Sequence, residues 1–119
     1  MAIVAYQGGC HCGNVRFEAA LDLEQPVMSC NCSHCQLMGW LLTFIPAGQF
    51  TFLSGEGNLT EYRLNTKRLA HLFCSTCGVS AFSRGPGPDG ALMYAVNARC
   101  LDGVDPDTLT IQKVDGRSR

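Results

Sequence analysis

Seven of the eight cysteines in this 119-residue chain fall in three tight groups. Thiols at that density are disulfide partners, metal ligands or nucleophiles. The first group is Cys10-His11-Cys12-Gly13 and the third is Cys74-Ser75-Thr76-Cys77-Gly78. Each ends in glycine, which takes positive φ without steric penalty where a metal knuckle turns sharply. Two half-sites of one design sum to four thiolates, the closed tetrahedral set of a structural zinc held by Cys10, Cys12, Cys74 and Cys77. The middle group, Cys30-Asn31-Cys32-Ser33-His34-Cys35, packs three sulfurs into six residues and is not followed by glycine. Three protein ligands with an open fourth position is the pattern of a catalytic zinc. A second closed site is the rival reading, with His34, His11, His71 or Cys100 as fourth ligand. A redox switch through Cys32 and Cys35 is a third. Cys100 stands alone after a β-type run and reads as a small core hydrophobe.

Composition narrows the setting for this chemistry. Hydrophobic residues are 46% and charged residues 16%, which excludes wholesale disorder and predicts one compact domain over 1–119. With a formal charge of -1 no basic face for phosphate contacts is evident, so no nucleic-acid partner is expected. The first basic residue is Arg16, and Ala2–Tyr6 is too short for the apolar core of a signal peptide. With Met1 at the start, this predicts a cytoplasmic chain whose clustered thiols bind metal rather than pair as disulfides. The longest apolar stretch, Trp40–Ile45, is too short to cross a bilayer.

The elements that position these groups read as short strands punctuated by glycine and proline. Strands are expected over Ile3–Tyr6, Val15–Leu21, Leu41–Ile45, Phe50–Leu53, Leu59–Leu64, Leu69–Phe73, Val79–Ser83, Leu92–Val96 and Thr108–Val114. Period-two alternation puts Val15, Phe17, Ala19 and Leu21 on one face. Helical character is confined to Ser33–Met38, with Ser33 as N-cap. That turn places Cys35 at a helix N-terminus, where a thiol's pKa is expected to fall. Gly85–Gly90 reads as a turn-rich loop. The class is all-β, with edges managed by closure or folding over. Phe44, Phe50, Phe52, Tyr62, Phe73 and Phe82 are core candidates. His71 should share a packed face with Leu69 and Phe73, and Trp40 either packs or lines an opening beside the middle cysteines.

Three segments together carry a family resemblance: Gly8-Gly9-Cys10-His11-Cys12-Gly13-Asn14-Val15-Arg16-Phe17, Cys30-Asn31-Cys32-Ser33-His34-Cys35 and Phe73-Cys74-Ser75-Thr76-Cys77-Gly78. With Phe50–Gly55, Leu59–Tyr62 and Asn97–Asp102, the chain resembles the glutathione-dependent formaldehyde-activating enzymes and centromere protein V-like proteins over about 8–102. Gln36 and Val79 stand where that family commonly has arginine and threonine, and the segment Lys113–Arg119 lacks a tryptophan that many members carry. The resemblance implies a β-tent zinc fold with two Zn²⁺ per chain, a structural ion at Cys10, Cys12, Cys74 and Cys77 and a catalytic one at Cys30, Cys32 and Cys35. The implied reaction is carbon–sulfur lyase chemistry of the S-(hydroxymethyl)glutathione synthase type. Its partners are a small thiol, glutathione or similar, and formaldehyde or another small aldehyde. Arg16, Arg68, Arg84 and Arg99 are the candidate cations to balance a thiolate-rich site. A non-enzymatic zinc-binding interaction module and a zinc or thiol redox sensor are the alternatives from other function classes.

Overall fold

The computed structural model describes residues 2–63 and 69–118. Alternation of small or apolar residues with polar ones gives short strands, and these form two sheets. The first sheet is antiparallel, in the order β1 (Val4–Gly9), β2 (Arg16–Leu21), β5 (Phe50–Ser54). The second has seven strands. Its order is β10 (Ile111–Val114), β3 (Val27–Cys30), β4 (Leu42–Pro46), β9 (Leu92–Asn97), β8 (Phe82–Pro86), β7 (Ala70–Cys74), β6 (Leu59–Tyr62). Only β10 and β3 run parallel. The mostly-β class expected from the sequence is observed, and α1 (Ser33–Met38) is the one α-helix among the described residues. Among the described residues, no helix is long and apolar enough to cross a membrane.

The core lies between the sheets and is aromatic at its centre. In β2 the alternation buries Phe17, Ala19 and Leu21, at 0%, 0% and 1% exposure. Phe17 stacks on Phe50 at 5.0 Å and meets the edge of Phe82 at 5.9 Å, while Phe50 stacks on Tyr94 at 4.0 Å. Rings from the three-stranded sheet thus interlock with rings from the seven-stranded one. Such pairs add about 0.5–1.5 kcal/mol each beyond the area they bury. Buried Asn97 ties the chain together locally: its Oδ1 accepts from the Leu41 and Arg99 backbone N–H groups, and its Nδ2 donates to the Ser80 carbonyl. At the surface, Arg16 and Asp102 form an ion pair between the β2 start and the loop after β9.

Several expectations need correction. The strand Val27–Cys30 is absent from the sequence reading because four residues show too little alternation, and its pairing with β10 is long-range. The strand expected at Val79–Ser83 begins instead at Phe82, because Val79 is spent on a turn closed by the Cys74 N–H. β8 also runs to Pro86, which shortens the expected Gly85–Gly90 loop to the turn at Gly87–Gly90. The strand expected from Thr108 begins at Ile111, since Pro106–Thr108 is a 3₁₀ turn. Phe44 and Tyr62, expected in the core, are exposed at 47% and 52%. Leu64, the end expected for β6, lies outside the described residues.

Replacing Phe17 with alanine removes the ring that meets both sheets. The expected loss is about 3–5 kcal/mol, read as a lowered denaturation midpoint at constant metal content. A change under about 1 kcal/mol would contradict this packing.

Candidate metal centres and the site beside them

Every cysteine group begins where a strand runs out. Cys10 follows β1, Cys30 ends β3 and Cys74 ends β7. The two glycine-terminated groups close in the same way. The Cys10 N–H donates to the Val15 carbonyl and the Cys74 N–H to the Val79 carbonyl, both at 3.0 Å. Gly13 and Gly78 each have φ of 82°, and nothing lies near the Cβ either would carry, so backbone conformation alone demands glycine.

These knuckles bring Cys10, Cys12, Cys74 and Cys77 together, with all four sulfurs within 4.8 Å of one another. The sulfurs of Cys10 and Cys12 are 3.6 Å apart, and those of Cys12 and Cys74 are 3.7 Å apart. A tetrahedron with metal–sulfur bonds of about 2.3 Å has edges of about 3.8 Å. The spacing therefore fits a four-thiolate ion, and all eight cysteines are free of disulfides. Amide donors favour the charged forms. The Val15 N–H points at Cys10 Sγ at 3.2 Å and the Thr76 N–H at Cys74 Sγ at 3.4 Å. The Val79 and Cys12 backbone N–H groups draw the Cys77 thiol down to about 6. Cys12 receives the Asn14 N–H but is pushed up to about 11 by desolvation and by the three other thiols. A fourth negative charge in this cluster is costly without a cation, and a dication removes that cost.

The second cluster is Cys30, Cys32 and Cys35, again with sulfurs within 4.8 Å. Cys32, not Ser33, is the N-cap of α1: its Sγ accepts the Cys35 N–H at 3.3 Å. The pKa effect expected at Cys35 therefore falls on Cys32. Burial opposes ionisation there, but hydrogen bonds from Cys35 and the His34 backbone bring the Cys32 thiol below its ordinary value. Cys35 itself is pushed up to about 12, mainly by burial, with the Trp40 indole opposing that rise. Trp40 is 2% exposed and packs with Leu42, Ala95 and Cys35. Its buried Nε1–H makes no hydrogen bond within normal reach, and the indole meets Cys35 by packing. Trp40 is thus a packed residue beside the middle cysteines.

No fourth His, Cys, Asp or Glu joins these three among the described residues. His34 does not join the three thiols. Its ring lies 4.4 Å from that of His71 and 5.3 Å from that of Trp40. His71 is not on the core face of β7, which carries Ala70, Leu72 and Cys74; it sits half-buried on the opposite face with Phe73, bonded to Ser83 Oγ at 3.1 Å. Cys100 packs against the core, and burial pushes its thiol up to about 11. A cavity of about 350 Å³ opens on Cys30 and Cys35 and is bounded by Asn31, Gln36, Lys113 and Asp115.

Of the expected cations, Arg16 is committed to Asp102 and Arg84 to the Tyr94 hydroxyl at 3.5 Å. Arg99 reaches the neighbourhood, donating from Nε to the Gly39 carbonyl at the end of α1. Arg68 lies outside the described residues. Sequence reasoning missed Lys113 and Arg117, which β10 delivers to the middle cluster. No local pattern marks them, because their placement depends on a pairing across more than 80 residues.

With the geometry established, two comparisons bear on it. A sequence model of glutathione-dependent formaldehyde-activating enzymes matches residues 5–113. A crystal structure of a Rhodobacter sphaeroides protein is similar at 30% identity with a TM-score of 0.79, covering 91% of this chain and 99% of that one.

His71 gives a pH test. Burial, then the neighbouring His34, lowers His71 from 6.5 to about 4. Between those values the unfolded chain binds a proton that the folded ring refuses. The stability from this position is therefore whole above 6.5 and is lost as pH falls towards 4. NMR titration of the His71 ring should give a midpoint near 4, and a midpoint near 6.5 would contradict the burial.

Proposed function

Because the chain belongs to the glutathione-dependent formaldehyde-activating enzyme family, we propose that it is a zinc-dependent carbon–sulfur lyase joining a small thiol to a small aldehyde. The observation that carries this reading is the three-thiol cluster, which lacks a fourth ligand among the described residues and borders a cavity. Cys10, Cys12, Cys74 and Cys77 would hold one zinc as a structural ion, and Cys30, Cys32 and Cys35 a second at the reacting site. When bound, that second ion would supply Lewis acidity and favour deprotonation of a thiol.

The chemistry balances without a further reagent. The substrate sulfur bonds to the aldehyde carbon, the π pair moves to oxygen, and the thiol's proton ends on that oxygen; the lyase direction reverses each step. The protein's residues orient and balance charge. Three thiolates on a dication leave one net negative charge, and Lys113 at the cavity wall and Arg99 at the end of α1 offset it. The backbone donors to Cys30 and Cys32 keep the sulfurs facing one point, so the site is formed before substrate arrives. The unpaired thiols fit a reducing compartment such as the cytoplasm.

Exchange NMR on a hemithioacetal tests this directly. Metal-loaded protein should speed thiol–aldehyde equilibration over metal-stripped protein in the same buffer, across several thiols. Equal rates would favour a non-enzymatic zinc module. The two clusters should also fail differently. Cys74→Ser removes a ligand from the site joining the sheets, and structural zinc contributes on the order of 10 kcal/mol to folding; it should unfold or aggregate. Cys32→Ser opens no long loop and should lose one zinc and the activity while keeping its fold. Circular dichroism with metal analysis separates these outcomes, and the reverse pattern would exchange the two roles.

A further inference from the structure

We propose that the segment 114–118 is a clamp on the three-thiol site, with Arg117 as the positioning residue that holds the Cys30–Cys35 loop in its ligating shape. β10 runs parallel to β3 in a register that sets Val114 beside Cys30. The Asn31 N–H donates to the Val114 carbonyl at 3.1 Å, so pairing continues past the strand into the ligand loop. Gly116 then lies against the thiols: a Cβ there would come 2.6 Å from Cys30 Sγ and 3.2 Å from Cys32 Cβ. A side chain there would have to displace the Cys30 sulfur.

Arg117 spans the loop from one side of the cluster to the other. Its backbone N–H donates to Asn31 Oδ1 at 3.0 Å, its Nε to the Asn31 carbonyl at 3.2 Å and its Nη2 to Gln36 Oε1 at 2.6 Å. Asn31 sits between two of the thiols and Gln36 follows the third. One planar guanidinium therefore ties both ends of the ligand loop, a geometry that lysine cannot reproduce. Ser118 Oγ donates to Asp115 Oδ2 at 2.7 Å and closes the turn that presents the arginine. Trp40 supports Cys35 from within the core, and the clamp supports Asn31 and Gln36 from the surface.

Groups that orient metal ligands from outside typically change metal affinity by about 10–100-fold when removed. The clamp requires an ion at the three thiols and does not require the lyase reading. The test uses the full chain loaded with zinc and mixed with excess chromogenic chelator, without thiol or aldehyde substrate. Release should be biphasic, and Cys32→Ser should lack the fast phase, which assigns that phase to the three-thiol site. Arg117→Ala should accelerate the fast phase by about tenfold and leave the slow one unchanged, and Arg117→Lys should not restore it. Gln36→Glu should slow the fast phase with Arg117 present and fail to do so in the Arg117→Ala background. A cobalt-loaded Gly116→Ala protein should show an altered thiolate charge-transfer band. The proposal is overturned by a fast phase unchanged in Arg117→Ala, by equal acceleration of both phases, by Gln36→Glu acting alike in both backgrounds, by an unaltered Gly116→Ala band or by a parent that releases a single ion in one phase. Because no turnover is read, loss of the lyase reading leaves this result standing, and the converse also holds.

Discussion

Four sulfurs crowded between two sheets are the constraint on which the rest of this protein depends. Cys10 and Cys12 come from the turn joining β1 to β2 in the three-stranded sheet, and Cys74 and Cys77 from the turn joining β7 to β8 in the seven-stranded one. The backbone between the sheets offers little else here, a bridge at Gly8 and Leu101 and the Asp102 N–H on the Gln7 carbonyl. Against the Asn14 N–H, burial and the neighbouring thiols raise the Cys12 thiol, so the crowded sulfurs oppose one another's ionisation. On the reading proposed above, a dication turns that repulsion into the strongest link between the sheets.

The aromatic core and this junction are complementary. Phe17 belongs to the strand that leaves the first knuckle, and Phe82 to the strand that follows the second. Their edge-on contact therefore lies at the start of both strands, the ends nearest the knuckles. Packing sets the distance between the sheets, and the knuckles sit at the end of that gap. Neither feature needs the other to be visible in sequence, yet each makes the other's geometry cheaper to hold.

The middle cluster is built on a different principle. Its three thiols are local, and a bond among local groups closes no long loop, so on the proposed reading a metal there would shape a site rather than join the sheets. What is not local is its surroundings. Trp40 and Ala95 approach Cys35 from the core, Lys113 from the parallel strand that pairs with β3, and Gly116 and Arg117 from the segment that follows it. A site whose ligands come from one segment and whose walls come from several can change its walls without losing its metal set.

How much of this was legible in the sequence follows from the range of each interaction. The cysteine groups that could hold a metal, the knuckle glycines and the helical turn at Ser33–Met38 depend on neighbours within a few residues, so spacing and residue type revealed them. Period-two alternation in Val15–Leu21 likewise announced the core face of β2. The four-residue strand at Cys30, the exposure of Phe44 and Tyr62, the failure of His34 and His71 to join the thiols, and the arrival of Lys113 and Arg117 were settled only by tertiary structure. Each of those depends on which strands pair and which face they bury, and that is decided by burial summed over the whole chain. Sequence determined what the sulfurs could bind; the pairing of β10 with β3 decided what stands around them.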